Sequence, residues 1–497
     1  MKLILHILAK DARRLRWQIP VVVAVMVAMR FASTFNFVWL WFPWYLVARV
    51  IHEDPLVGDR QFWVTRPCSW KNLLAAKVLF VAAFVVVPGL IADCAALLAA
   101  GLGPTSYLPG LILKAITDSV LFFLPVAALA AVTRGFAQLA FAGLALIMPV
   151  IGLAYTQLYQ RWPAQEWTRE SVMAAILLSG TLIVLFRQFK LRRTASARGL
   201  LVAAVGLAMV AYVALPWDLA VALQYRKDDS KNKSPLRITF DPKSSQRGSS
   251  SWPGMVTVYF PFVIDGLPED TEISWDAAKL QIQSSDGLSW RSAWSSLISR
   301  SPAAHGLAMV GVPVPEHVYR QVKYSRAEIR LSFAITLFKN DGATRMTLQP
   351  NARLSIPDFG VCTSSEGSLR CVSALRLPRC RLEAGFDPST ACVSKSAAVP
   401  SDWNGAQLLY GAESSFSSSP FPADFGGSAI VLSFYRDLAT QFVAGSKIGR
   451  AELCSGTELT FVTQRPVDHI VRDVEIHDVR LMDYNPIDPN YGRNNIR

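Results

Sequence analysis

Long apolar runs fill the first 220 positions of this 497-residue chain, and only short charged segments interrupt them. Hydrocarbon accepts a backbone only when every N–H and C=O is paired within the segment, so runs of this kind fold as spanning helices. Seven spans are read near 18–33, 35–50, 73–100, 107–132, 136–156, 171–185 and 199–219. Residues 18–50 exceed one helix across a core of about 30 Å at about 1.5 Å per residue, which divides them into two spans. Arg30 and Asn36 then flank a tight outer turn, with Arg30 reaching back to the headgroups.

Charge gives the orientation. The net +13 is unevenly spread: residues 1–220 carry 20 Lys and Arg against 9 Asp and Glu, and the remainder carries 30 against 28. A basic chain can signal nucleic acid, but an excess confined to one set of membrane loops is the positive-inside pattern. With a cytoplasmic N-terminus, residues such as Arg13, Arg14, Arg60, Arg66, Arg134, Arg192 and Arg193 fall inside, while the outer loops hold Arg30, Arg161 and Arg169. An odd number of spans exports the rest of the chain.

Residues 1–17 place Leu3, Ile4, Ile7, Leu8 and Leu15 on one helical stripe, with Lys2, Lys10, Arg13 and Arg14 facing away. This reads as an amphipathic helix lying on the cytoplasmic interface. A signal peptide would need a small-residue cleavage site, and none is evident.

After Tyr225 the chain becomes richer in Ser, Asp, Lys and Pro, and its apolar residues alternate in short runs at 237–240, 255–260, 279–283, 328–338, 345–348, 429–435 and 458–462. Asp286-Gly287 and Asp341-Gly342 read as turns between strands. The expected fold is thus a polytopic helical membrane domain followed by an all-β, sandwich-like exported domain. Its parts are an interfacial helix (1–17), a helical membrane domain (18–220), a linker (221–251), a β-sandwich-like domain (252–357), a second β domain (358–483) and a flexible tail (484–497).

Cys362, Cys371, Cys380 and Cys392 recur at roughly ten-residue intervals in this exported half. Disulfides suit that spacing and compartment, whereas zinc would want close Cys pairs or neighbouring His. Cys454 is left over as a free thiol.

The motifs GxxxxGK[ST], HExxH and GxSxG, and GxGxxG after a strand, do not occur, and the six histidines are scattered. The reading is therefore of a chain that is not an enzyme and needs no cofactor. Within the spans lie Asp93, Lys114 and Asp118. Asp93 and Lys114 stand at matched depths on either side of an outer turn, and Lys114 and Asp118 are i,i+4 neighbours. A structural ion pair is the plainer reading, a translocation role the sharper.

The segment between the second and third spans is longer than a bare connection requires. It holds Glu53, Asp54, Gly58, Phe62, Trp63, Arg66, Pro67, Ser69 and Lys77. Its acidic pair, glycine, proline with serine two residues on, and lysine entering the next span resemble the loop of ABC-2-type transporter permeases. The resemblance covers roughly residues 1–190. It departs from the common form in the Phe62–Arg66 insertion, the seventh span and the large exported part. It implies a permease subunit of the bacterial inner membrane, dimeric with itself or a related subunit, whose loop docks on a separate ABC ATPase subunit where nucleotide is hydrolysed. Apart from any family, Gly58 and Pro67 shape turns, Phe62 and Trp63 suit the headgroup level, and Arg66 suits phosphates or an acidic partner. An interfacial loop without a protein partner remains open, as does a different class of protein, a membrane-anchored envelope sensor or assembly factor.

Overall fold

The computed structural model describes residues 2–31, 41–54, 57, 69–99, 101–157, 163–227, 236–243, 251–252, 254–268, 270–296, 298–299, 306–349, 352–356, 359–365, 368–373, 381–386, 429–432 and 456–484. Among the described residues, eleven α-helices come first: α1 (Lys2–Arg14), α2 (Gln18–Phe31), α3 (Trp41–His52), α4 (Trp70–Val81), α5 (Val87–Ala99), α6 (Pro104–Asp118), α7 (Leu124–Val132), α8 (Phe136–Gln157), α9 (Pro163–Phe186), α10 (Thr194–Ala214) and α11 (Trp217–Gln224). Wider π-helical turns at Ala82–Val86 and Ser119–Phe123 fuse α4 to α5 and α6 to α7, and a third at Arg187–Leu191 extends α9.

Among the described residues, four helical stretches are long and apolar enough to cross a membrane: Trp70–Ala99, Pro104–Val132, Ser171–Leu191 and Thr194–Ala214. Seven were expected. Among the described residues α2 and α3, with 14 and 12 residues, are about 21 and 18 Å long and fall short of a span. The outward faces fit hydrocarbon rather than water. Ile91 and Leu98 are each 62% exposed, and Leu113, Val202, Leu207 and Val210 are also open.

Local chemistry sets the helix ends. Ser69 caps α4, its Oγ accepting from Asn72 N at 3.3 Å. Gly101 takes φ +78° after α5, and Leu102 N donates to Leu97 O at 2.9 Å, which closes that helix before α6 begins. Between α9 and α10 the backbones come close at Gly180, where an added Cβ would lie 2.3 Å from Ala204 Cβ.

Strands follow: β1 (Arg226–Lys227), β2 (Arg237–Phe240), β3 (Ser251–Trp252), β4 (Met255–Asp265), β5 (Thr271–Ser284), β6 (Ser289–Arg291), β7 (Ser295–Ser296), β8 (Ile298–Ser299), β9 (Gly306–Pro315), then helix α12 (Glu316–Val322), β10 (Ala327–Thr347), β11 (Arg353–Ile356), β12 (Gly360–Ser365), β13 (Ser368–Ser373), β14 (Arg381–Phe386), β15 (Ala429–Leu432) and β16 (Glu458–Val479). The largest sheet runs β1-β16-β10-β5-β6, with β14 also on β16 and β7 on β5. A second runs β2-β4-β9-β8 with β3 on β4, and a third runs β11-β12-β13-β15.

Period-two burial along β5 turns Ile273, Trp275, Leu280 and Ile282 inward, and β10 adds Ile329, Leu331 and Phe333. These pack with Val258, Phe260, Phe262 and Ile264 of β4 in one core. Phe262 sits 5.2 Å from the Phe333 ring centre and 6.3 Å from that of Trp275.

Two sequence expectations change here. Asp286-Gly287 is a turn, with Gly287 at φ +84°, but Asp341-Gly342 is not. Instead β10 continues through it, absorbing the irregularity as a register shift against β16 between Asn340 and Gly342. Such shifts curl the sheet. Residue 357, expected to divide two β domains, is bridged by pairing: β14 and β16 join the same sheet as β5 and β10.

The strand-rich region meets one end of the helical bundle. Gly101 lies 3.3 Å from Ser355 Oγ measured from an ideal Cβ, and Val361 packs with Leu97, Leu102, Tyr107 and Leu111. Gln224 bonds Thr168, and Arg169 stacks on Trp217 at 5.7 Å. Asp218 pairs with Lys279 and accepts from Trp294 Nε1 at 3.0 Å, fastening α11 to β5.

Candidate functional site: an ion-paired connector

At the opposite end of the bundle, the start of the α3–α4 connector is held by charge. Lys77, on α4, is 3% exposed, and its Nζ donates to Asp11 Oδ2 at 2.8 Å and Asp54 Oδ2 at 2.7 Å. Asp11, on α1, is fully buried. Lys10 closes the group, reaching Asp54 Oδ1 at 2.8 Å and Asp11 Oδ1 at 3.4 Å. One turn on, Arg14 pairs with Glu53 Oε2 at 2.8 Å, and Arg49 approaches Glu53 Oε1 at 3.4 Å.

Each buried charge here faces an opposite one, the condition under which ions survive removal from water. Burial pushes the Asp54 carboxyl up, but Lys77 and Lys10 outweigh it and hold the group below the ordinary carboxylate value. The outcome is a clamp: α1, α3, the connector and α4 are tied through one set of side chains.

Further ties carry the connector into the rest of the bundle. His52 Nε2 lies 3.0 Å from Ala130 O and 3.2 Å from Thr133 Oγ1; a carbonyl only accepts, so Nε2 carries the proton. Arg198 Nε donates to Val132 O at 3.0 Å. Trp70 meets Phe186 edge-on at 5.5 Å.

Of the connector residues singled out in the sequence, Glu53, Asp54 and Lys77 are brought together, and Ser69 is the α4 cap. Gly58, Phe62, Trp63, Arg66 and Pro67 lie outside the described residues. Sequence reasoning missed the partners. Lys10 and Arg14 were expected to face away from the bundle, yet they turn onto the connector, and Asp11 was not considered. The available signal was a single acidic residue at the centre of an otherwise basic helix.

In the spans, Lys114 Nζ donates to Asp93 Oδ2 at 2.8 Å, joining α5 to α6, a pairing their matched depths allow. Asp118 is buried one turn beyond Lys114, next to the π-helical turn at Ser119–Phe123. Cys362 is buried and stands directly opposite Cys371 in the β12–β13 register. Cys380, Cys392 and Cys454 lie outside the described residues. Cys94 is a free thiol on α5.

A second polar node lies where the membrane region passes into the sheet. Asp276 accepts from Tyr225 Oη at 3.0 Å, from Ser274 Oγ at 3.1 Å and from Thr336 Oγ1, which also lies 2.9 Å from His469 Nδ1. Burial raises the Asp276 carboxyl above the ordinary range, against the three hydroxyl donors and His469. Tyr225, desolvated and beside Asp276, is raised as well. The node ties the residue after α11 to β5, β10 and β16. A scan against protein-family models and a search of curated proteins both returned no match to this sequence.

Proposed function

We propose that this chain is a multi-pass permease subunit resembling the ABC-2 class, working in the bacterial inner membrane as a homo- or heterodimer with a separate ABC ATPase subunit. The N-terminus is cytoplasmic, and the strand-rich part is a sandwich-like exported portion. One observation carries the reading: Asp54 and Lys77, both in the pattern that drew the resemblance, meet Lys10 and Asp11 of α1 in one buried group, and Glu53 pairs with Arg14 beside it. A push on the connector then moves α1, α3 and α4 together and, through His52 and Arg198, the α7 end. Because Glu53, Asp54 and Lys77 are consumed in internal pairs, docking falls to Phe62, Trp63 and Arg66, and the clamp transmits.

Orientation agrees with charge. The clamp end gathers Arg13, Arg14, Arg192, Arg193 and Arg198, whereas the other end meets the strands. In the exported portion, Cys362, Cys371, Cys380 and Cys392 carry the disulfides; directly opposed strand positions such as 362 and 371 lie about 4.5–5.5 Å apart at Cα, within bridging range.

The test is co-purification. Arg66→Glu should abolish recovery of ATPase activity with the detergent-solubilised protein from its host while leaving its elution profile unchanged; equal recovery removes docking through this loop. A second reading is supported by the fastening of α11 to β5 and of the α5–α6 turn to β11 and β12. In it, the helices anchor an envelope sensor or assembly protein. Wild-type protein that recovers no ATPase favours that reading.

A further inference from the structure

We propose that the groove between α1 and α4 is a binding site for one anionic phospholipid of the leaflet at the clamp end. An open cavity of about 620 Å³ is lined by Ile4, Leu5, Leu74, Ala75, Val78 and Leu79, with Trp70 and Lys71 at its end. Its walls face outward: Leu5 is 51% and Val78 58% exposed.

Two features name the occupant. The first is length. From Lys71 to Ala82 the lining follows α4 for about three turns, or about 16 Å, close to half of a core of about 30 Å. An acyl chain of one leaflet fills that length. The second is charge at one end only. Trp70 and Phe186 meet edge-on at 5.5 Å, Lys71 Nζ lies 5.9 Å from the Trp70 ring centre, and Lys190 Nζ lies 4.8 Å from that of Phe186. Two ammonium groups on neighbouring helices therefore flank an aromatic pair at headgroup level, the arrangement that attracts a lipid phosphate bearing net negative charge. The site rests on α4 crossing the bilayer and is independent of whether an ATPase docks.

The experiment titrates delipidated full-length protein with phosphatidylglycerol or with phosphatidylcholine of the same chains, reading bound lipid by native mass spectrometry. Wild type should take up one phosphatidylglycerol with a preference of roughly tenfold or more. The double variant Lys71→Gln/Lys190→Gln should lose that preference yet keep weak binding of both lipids. Ala75→Trp, which fills the groove from its wall, should weaken both. Equal uptake of the two lipids by wild type, or an unchanged preference in the double variant, overturns the proposal. So does an Ala75→Trp variant that binds lipid normally but changes oligomeric mass, since a second copy of the chain would then be the occupant.

Discussion

Lys77 shows how much can depend on one ammonium. Its removal leaves Asp11 buried with only the 3.4 Å approach of Lys10. Lys77→Met should therefore cost about 3–5 kcal/mol, read as a large drop in melting temperature in detergent. Asp11→Asn/Lys77→Met should recover much of that loss, because no charge is then stranded. A single variant melting like wild type would show that the clamp is not a stabilising unit. Asp276 gives the opposite pH sign to Asp54. Its folded carboxyl holds a proton to higher pH than an unfolded one, so stability falls as pH rises from the ordinary carboxylate value near 4 through the raised folded value. The Asp54 contribution, with its lowered value, is instead lost as pH falls through that value. Asp276→Asn should flatten the decline in stability measured from about pH 4 to 8, and an unaltered slope would exclude Asp276 as its source. The clamp was half legible in sequence. Glu53, Asp54 and Lys77 stood out through the resemblance of their segment to a permease loop, but Lys10 and Asp11 belong to a helix that looked complete in itself, and tertiary pairing across 44 and 66 positions leaves no local periodicity.

Among elements, α9 and α10 meet closely at Gly180. Gly180 faces Ala204 with no room for a methyl group, so the two backbones approach as small residues permit in membranes. Gly180→Leu should force the helices apart and cost about 1–3 kcal/mol, visible as a lower melting temperature with the β-region circular dichroism retained. A neutral outcome would mean that the helices part freely. Apolar period and length made α4 to α7, α9 and α10 legible as long helices, and alternation located β2, β4, β5 and β10. What the sequence concealed was continuity. The Asp341-Gly342 pair has turn chemistry, but β16 pairs with β10 before and after it and keeps it extended, so sheet pairing overrides the local preference.

At the scale of the whole molecule, the clamp and the strand-rich region occupy opposite ends of the bundle. This predicts opposite labelling on intact cells. With the proposed cytoplasmic N-terminus, a cysteine introduced as Ser69→Cys, in a background without native cysteines, should resist a membrane-impermeant maleimide, whereas Ser325→Cys should react. Reaction at both positions, or at neither, would contradict the arrangement. A consequence of β16 concerns the order of assembly. This strand lies between β1 and β10, and β1 meets it at Ile470 and Val471, more than two hundred residues downstream. During synthesis, the 21-residue β10 must wait on one side, its edge amides unmatched, until positions 458–479 arrive. Messages cut short before that point would release chains with anchored helices and an open, adhesive sheet, making late truncations more prone to aggregate than ones ending before β1.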